Sequence, residues 1–145
     1  MSTFYNRPSR LTQISNRLFG WLAGKGLGPK KTVDLEVRGR KSGLPRRTAV
    51  NIVEFEGTRY LVAPRGDTEW SRNARAAREA VIHRGKPEQV RLTDVPEAER
   101  APIIQKYLKE NALVTKREFG IEPDSPIEEF QRIAGSHPVF RIEAA

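Results

Sequence analysis

Between residues 9 and 23, Leu11, Ile14, Leu18, Trp21 and Leu22 recur at helical spacing while Arg10, Gln13 and Arg17 take the other side, which predicts an amphipathic helix. Gly24, Gly26, Gly28 and Pro29 stop it, since glycine accepts a left-handed cap and proline cannot continue the ladder. From Thr32 the period shortens to two. Val33, Leu35 and Val37 alternate with Asp34, Glu36 and Arg38, the pattern of a half-buried strand. A turn over Gly39 to Pro45 leads into a second strand from Thr48 to Phe55, and Glu56-Gly57 makes a tight hairpin into a third from Arg59 to Ala63.

Pro64 to Glu69 reads as a loop entering a short helix from Trp70 to about Ala77. Val81 and Ile82, then Val90 and Leu92, predict a hairpin turning at Gly85-Lys86. Asp94-Val95-Pro96-Glu97 has capping-box spacing and opens a helix through about Lys109. Ser125-Pro126-Ile127-Glu128 repeats the device, with proline at the first helical position, for a helix ending near Gly135; Pro138 to Ile142 is a last strand. Six short strands with a few inserted helices fit a closed or partly closed antiparallel barrel better than alternating β and α units. At 145 residues the reading is one domain, residues 1–145, with residues 1–28 as an N-terminal helix and glycine-rich connector.

Composition narrows the chemistry. The absence of cysteine excludes disulfides, thiolate nucleophiles, iron–sulfur clusters and zinc-thiolate sites together, so any redox chemistry comes from a borrowed cofactor. No apolar run approaches the ~20 residues that span a bilayer, and no signal-peptide pattern opens the chain, which reads as cytoplasmic. The net charge of +8 is lopsided: the first 50 residues hold 11 Lys and Arg against Asp34 and Glu36, whereas the remaining 95 hold 15 against 16 acids. An anionic partner at one face is the physical expectation, be it nucleic acid, headgroups or a phosphorylated ligand.

Two stretches concentrate candidate chemistry. Arg38 to Arg47 carries five basic residues, Gly39 and Gly43, and no acid, between two strands. Glycines let backbone N–H groups approach a phosphate, Arg offers paired hydrogen bonds and Lys a point charge. The plainer reading of such a run is a solvated hairpin. Pro64 to Ala77 enters a helix whose first amides favour an anion, with Arg65 close to that end and Trp70 and Asn73 one turn apart on one side. Taken singly, Trp70 reads as core and Asn73 as an exposed helix position. Tyr60 and Tyr107 are weak candidates for proton donation. His83 and His137 lack ligand-like neighbours, so they are assigned to structure and no metal site is expected.

In this order and separation, Gly26-Leu27-Gly28-Pro29, the strand from Leu35 running into Gly39-Arg40-Lys41-Ser42-Gly43, Trp70 with Asn73, and His137-Pro138-Val139-Phe140 resemble the deazaflavin (F420)-dependent nitroreductase and quinone reductase family. The resemblance implies a split β-barrel of the FMN-binding kind. It also implies a coenzyme, F420, whose tail carries a phosphodiester and a string of glutamates. On that likeness Arg40, Lys41, Ser42 and Arg46 hold the tail, Arg65 is a second basic ligand, and Trp70 and Asn73 line the coenzyme site. The implied reaction is hydride transfer from the reduced deazaflavin to a quinone, an activated alkene or a nitroaromatic compound.

An FMN oxidoreductase on the same barrel and a basic nucleic-acid module are the alternatives, the latter favoured by a calculated pI near 10.2. Against nucleic acid, no aromatic residue lies between Lys25 and Asn51, whereas single-strand binders interleave stacking rings with charge. The partners expected are therefore a small-molecule electron acceptor and no nucleic acid, with peripheral membrane contact through residues 9–23 as an additional option and a monomer or homodimer as the assembly.

Overall fold

The computed structural model describes residues 32–111 and 118–145. The expected helix over residues 9–23 and its glycine-rich connector lie outside them. Six strands, β1 (Thr32–Arg38), β2 (Pro45–Phe55), β3 (Thr58–Val62), β4 (Glu79–Arg84), β5 (Lys86–Asp94) and β6 (Val139–Ala144), close into a barrel in the order β1-β2-β3-β6-β5-β4. Every pairing is antiparallel, and β4 returns to β1 to complete the ring. Three α-helices are inserted among the described residues: α1 (Glu69–Ala77), α2 (Glu97–Glu110) and α3 (Ile127–Ile133), the last running into a 3-10 turn over Ala134–Ser136.

Alternation along the strands divides the apolar side chains into two cores. Val33, Leu35, Val37, Leu61, Ile82, Val90, Leu92, Phe140 and Ile142 fill the barrel. Val53, Val62 and Val139, one residue out of phase with their inward neighbours, face outward and are covered by Ile103, Ile104 and Leu108 of α2 and Phe130 of α3. Tyr60 pairs with Val53 across β2 and β3 and therefore shares the outward face, where it packs against this second core.

Register decides the direction of each charge on the opening hairpin. Val37 stands opposite Arg46 and Glu36 opposite Arg47, so Arg46 is on the inward face at the rim of the barrel while Arg47 points out. Outside, Arg47 meets Asp34 at 2.6 Å and His83 meets Glu36 at 2.9 Å. Burial raises the Asp34 carboxyl above its usual range despite Arg47 beside it.

Several local expectations are corrected. Strand β2 begins at Pro45 rather than Thr48, because Pro45 already stands opposite Arg38, and the first residue of a strand tolerates proline. The capping box expected at Asp94 does not form. Asp94 is still in β5, its carboxylate takes Arg75 at 3.1 Å and Arg100 at 3.3 Å, and Pro96 precedes the helix. At α3, Pro126 stands at the cap rather than the first helical position, and the Ser125 hydroxyl accepts the Glu122 N–H at 3.0 Å instead of capping the helix. At Asp94 residues of other elements displaced the local bond, and at Ser125 the preceding turn did.

Candidate functional site

The turn between β1 and β2 is tightly made. Gly39 N–H donates to the Leu44 carbonyl at 2.8 Å, Gly43 N–H to the Gly39 carbonyl at 2.9 Å, and the Arg38 guanidinium to the Gly43 carbonyl at 2.5 Å. The Ser42 hydroxyl turns inward to accept the Leu44 N–H at 3.2 Å. A Cβ on Gly39 would lie 2.7 Å from the Ser42 Oγ and 3.3 Å from the Leu44 carbonyl, so a larger residue there would force Ser42 to move. Ser42 thus has a part in shaping the loop whatever else it touches.

Helix α1 lies over the end of the barrel from which this turn projects. Trp70, Ala74 and Ala77, at i, i+4 and i+7, pack against the barrel's interior cluster, and a helix can reach that interior only at an open end. The Trp70 ring rests 5.9 Å from Phe140, centroid to centroid, and is half-buried. Asn73 is 5% exposed, which corrects the expectation of an exposed helix position. Its Oδ1 accepts the Arg40 backbone N–H at 3.0 Å and the Arg40 guanidinium at 2.8 Å. The same guanidinium donates to Glu69 Oε2 at 2.8 Å. This hydrogen bond, with the charges of Arg40, Lys41 and Arg72, holds the Glu69 carboxyl below its usual range.

Below Glu69 the loop before α1 is anchored by Asp67. Ser71 Oγ donates to Asp67 at 2.7 Å and accepts the Thr68 N–H at 2.9 Å, while Arg75 and Arg72 approach the carboxylate at 3.3 and 3.6 Å. Burial pushes the Asp67 carboxyl up, but the Ser71 hydrogen bond and the two guanidiniums outweigh it, leaving the group below its ordinary value.

Of the residues singled out from sequence, the structure thus brings Arg40, Lys41, Ser42, Arg46, Trp70 and Asn73 to one end of the barrel. Lys41 and Arg46 are exposed and, among the described residues, make no ion pair or hydrogen bond. Arg65 is directed to Glu118, 3.3 Å away. Tyr107 stands apart, 3% exposed in the second core with its ring edge against Phe119, and burial together with the Glu118 charge raises its hydroxyl above the normal phenol range. Tyr60 is half-buried on the outward face. Glu69 was missed; its signal was its place as the one acid immediately before Trp70 in a stretch read for cations. Among the described residues no cluster of His, Cys, Asp or Glu could hold a metal, and no helix is long and apolar enough to cross a membrane.

The family model described as F420H(2)-dependent quinone reductase matches residues 10–128. The chain belongs to that family. It is an oxidoreductase family whose reductant is the reduced deazaflavin coenzyme, F420H2. No curated protein matches the chain significantly. Among solved structures, an F420-H2 dependent reductase, FDR-A, is similar at 19% identity over 79% of this chain and 95% of that one, with a TM-score of 0.55. A protein of unknown function from Agrobacterium tumefaciens strain C58 gives 19% identity and a TM-score of 0.57 over 79% of this chain, which spans only 48% of that protein. A third, described as a domain-swapped dimer, gives 17% identity and a TM-score of 0.55 over 92% of this chain and 96% of that one. At such identities these three likenesses are likenesses of fold. They place the quinone reductase family member on a barrel shared with an F420H2-dependent enzyme, in agreement with the architecture expected from the sequence.

The residues at the barrel's end suit the coenzyme in kind. An anionic tail needs cations that are exposed and not already neutralised, and a flat ring needs an apolar wall. Lys41 and Arg46 meet the first requirement, and the half-buried Trp70 indole the second.

Proposed function

We propose that this quinone reductase family member binds the tail of F420H2 along Arg40, Lys41, Ser42 and Arg46, with Arg65 as a further basic ligand and Trp70 and Asn73 beside the ring, and reduces a quinone. Activated alkenes and nitroaromatic compounds are acceptors of the same electron-poor kind. The coenzyme supplies a hydride when bound.

The chain's own residues do the rest. Lys41 and Arg46 bind by charge, Arg46 from the inward face of β2 and Lys41 from the turn. Asn73 fixes Arg40, and through it the turn, relative to α1. Trp70 and the apolar barrel beneath it keep water from one side of the mouth. Tyr60 packs against the second core on the outward face, away from Trp70, so solvent is the source of the proton.

One observation carries the reading: the exposed side chains of Lys41 and Arg46, neither with a hydrogen bond or a close ion pair among the described residues, sit on and beside a turn that Asn73 pins next to Trp70. The function is exercised by one domain, residues 1–145, in the cytoplasm, by a monomer or homodimer, without nucleic acid. Residues 9–23 provide any peripheral membrane contact.

The test is titration of the purified protein with F420 and, separately, with FMN, followed by Trp fluorescence and melting temperature, then turnover with F420H2 on a panel of quinones. A rise in melting temperature with F420 is expected, because a ligand bound by the folded state alone stabilises it by mass action. A response to FMN and none to F420 would reject the proposal.

A further inference from the structure

A guanidinium and a carboxylate pair at the mouth of the barrel. The Arg40 guanidinium donates to Glu69 Oε2 at 2.8 Å, and the charges of Lys41 and Arg72 also favour the charged form of that carboxyl. Yet the Glu69 side chain is 71% exposed, whereas Arg40 is 22% exposed and held from behind by Asn73. The cation is fixed and the anion is loose.

Glu69 is also the first residue of α1, where a negative charge is favoured by the unpaired amides of the helix's opening turn. A carboxylate on a flexible, solvated side chain is thereby placed where guanidinium, ammonium and helix end would all favour an anionic oxygen. Exposed ion pairs contribute little to stability, so this one is readily exchanged for another anion.

We propose that Glu69 is an internal stand-in for an anionic oxygen of the ligand, occupying the Arg40 guanidinium until a phosphate or carboxylate group of the incoming molecule takes its place. This rests on the reading of the β1–β2 turn as the site of the coenzyme's anionic tail. Arg40 is then not free in the empty protein but is released by exchange. Glu69 sets how strongly charged a ligand must be: a weak monoanion does not displace it, and an oligoanion does. Asn73 keeps the guanidinium in position while its partner changes.

Calorimetric titration at low ionic strength distinguishes the possibilities. Wild type, Glu69→Gln, Arg40→Gln and the double variant are titrated with F420, with inorganic tripolyphosphate and with a tetraglutamate peptide. Glu69→Gln keeps the shape of the side chain and removes its charge, and circular dichroism confirms that each variant is folded. The expected result is about fivefold tighter binding in Glu69→Gln, lost in the Arg40→Gln background and diminished at about 0.5 M salt. A gain with tripolyphosphate alone identifies a phosphate as the displacing group, and a gain with tetraglutamate alone identifies a carboxylate.

Unchanged or weaker binding in Glu69→Gln overturns the proposal, since Glu69 would then serve to anchor Arg40. A gain that persists without Arg40 also overturns it, because the effect would be one of net charge only. If the oligoanions show the Arg40-dependent gain but F420 binds neither protein, exchange stands and the coenzyme reading falls. If nothing binds to any variant, both fall.

Discussion

Asn73 Oδ1 accepts two hydrogen bonds from Arg40, one from its backbone N–H at 3.0 Å and one from its guanidinium at 2.8 Å, across 33 residues of sequence. This single oxygen joins the β1–β2 turn to the helix over the barrel's mouth. It positions the basic turn relative to Trp70, together with the more exposed pair of Arg40 with Glu69.

Asn73→Ala is therefore expected to cost about 1–3 kcal/mol of stability, the range for a part-buried donor left without its acceptor. Urea unfolding measures it. F420 affinity should fall as well, although the change removes no charge. A variant as stable as wild type would show that the turn is held by its own hydrogen bonds alone.

Lys41→Ala and Arg46→Ala are expected to behave in the opposite way. Neither side chain has an ion-pair partner to lose, so stability should stay within about 0.5 kcal/mol, the range for surface substitutions. Each should weaken F420 binding by about tenfold at low salt and by less at high salt, because exposed charges are screened beyond about 10 Å at 0.1 M. Titration at two ionic strengths reads both effects. Binding unaffected by either change would remove the tail assignment.

Gly39→Ala should destabilise the turn, since the new methyl would lie 2.7 Å from Ser42 Oγ and 3.3 Å from the Leu44 carbonyl. A cost of about 1–3 kcal/mol is typical of such overpacking. The double variant Gly39→Ala with Ser42→Gly should recover part of it, as one of the two close neighbours is then gone. Chemical denaturation of the two variants side by side checks the rescue.

His137 is 2% exposed, with its Nδ1 2.9 Å from the Ala63 carbonyl. Burial is the chief cause lowering its pKa below 6.5, and the Arg100 charge adds to it. The unfolded chain therefore takes up a proton near pH 6.5 that the folded chain refuses. Stability should fall as pH drops below about 6.5, since the unfolded state then binds more protons. Melting temperatures between pH 8 and pH 5 test this, and the slope should lessen in His137→Gln. Asp67 adds a separate loss at lower pH: its folded pKa is depressed, so its contribution is present above about pH 4 and disappears as pH falls through the folded value.

The barrel was legible because strands advertise themselves. Val33, Leu35 and Val37 alternate with charged residues, and Glu56-Gly57 and Gly85 mark turns where the structure has them, Glu56 and both glycines at positive φ. The candidate site was legible in its residue types but not in its pairings. Arg46 and Arg47 are indistinguishable as neighbours in a basic run, yet strand register sends one to the rim of the barrel and the other to Asp34 outside. Arg65 has a partner that the sequence does not reveal, Glu118, 53 positions later in the chain. The capping box at Asp94 failed for the same reason: Arg75 and Arg100 bid for the carboxylate from other elements.

By itself, then, the sequence determined where the chain is extended, where it turns, and that a concentration of positive charge lies between the first two described strands. Those are properties of side-chain periodicity and backbone freedom, which act over a few residues. Tertiary structure alone decided which of those charges are spent on internal carboxylates and which remain exposed, because an ion pair depends on distance in space. That distance is set here by barrel closure and by the helix laid across its end.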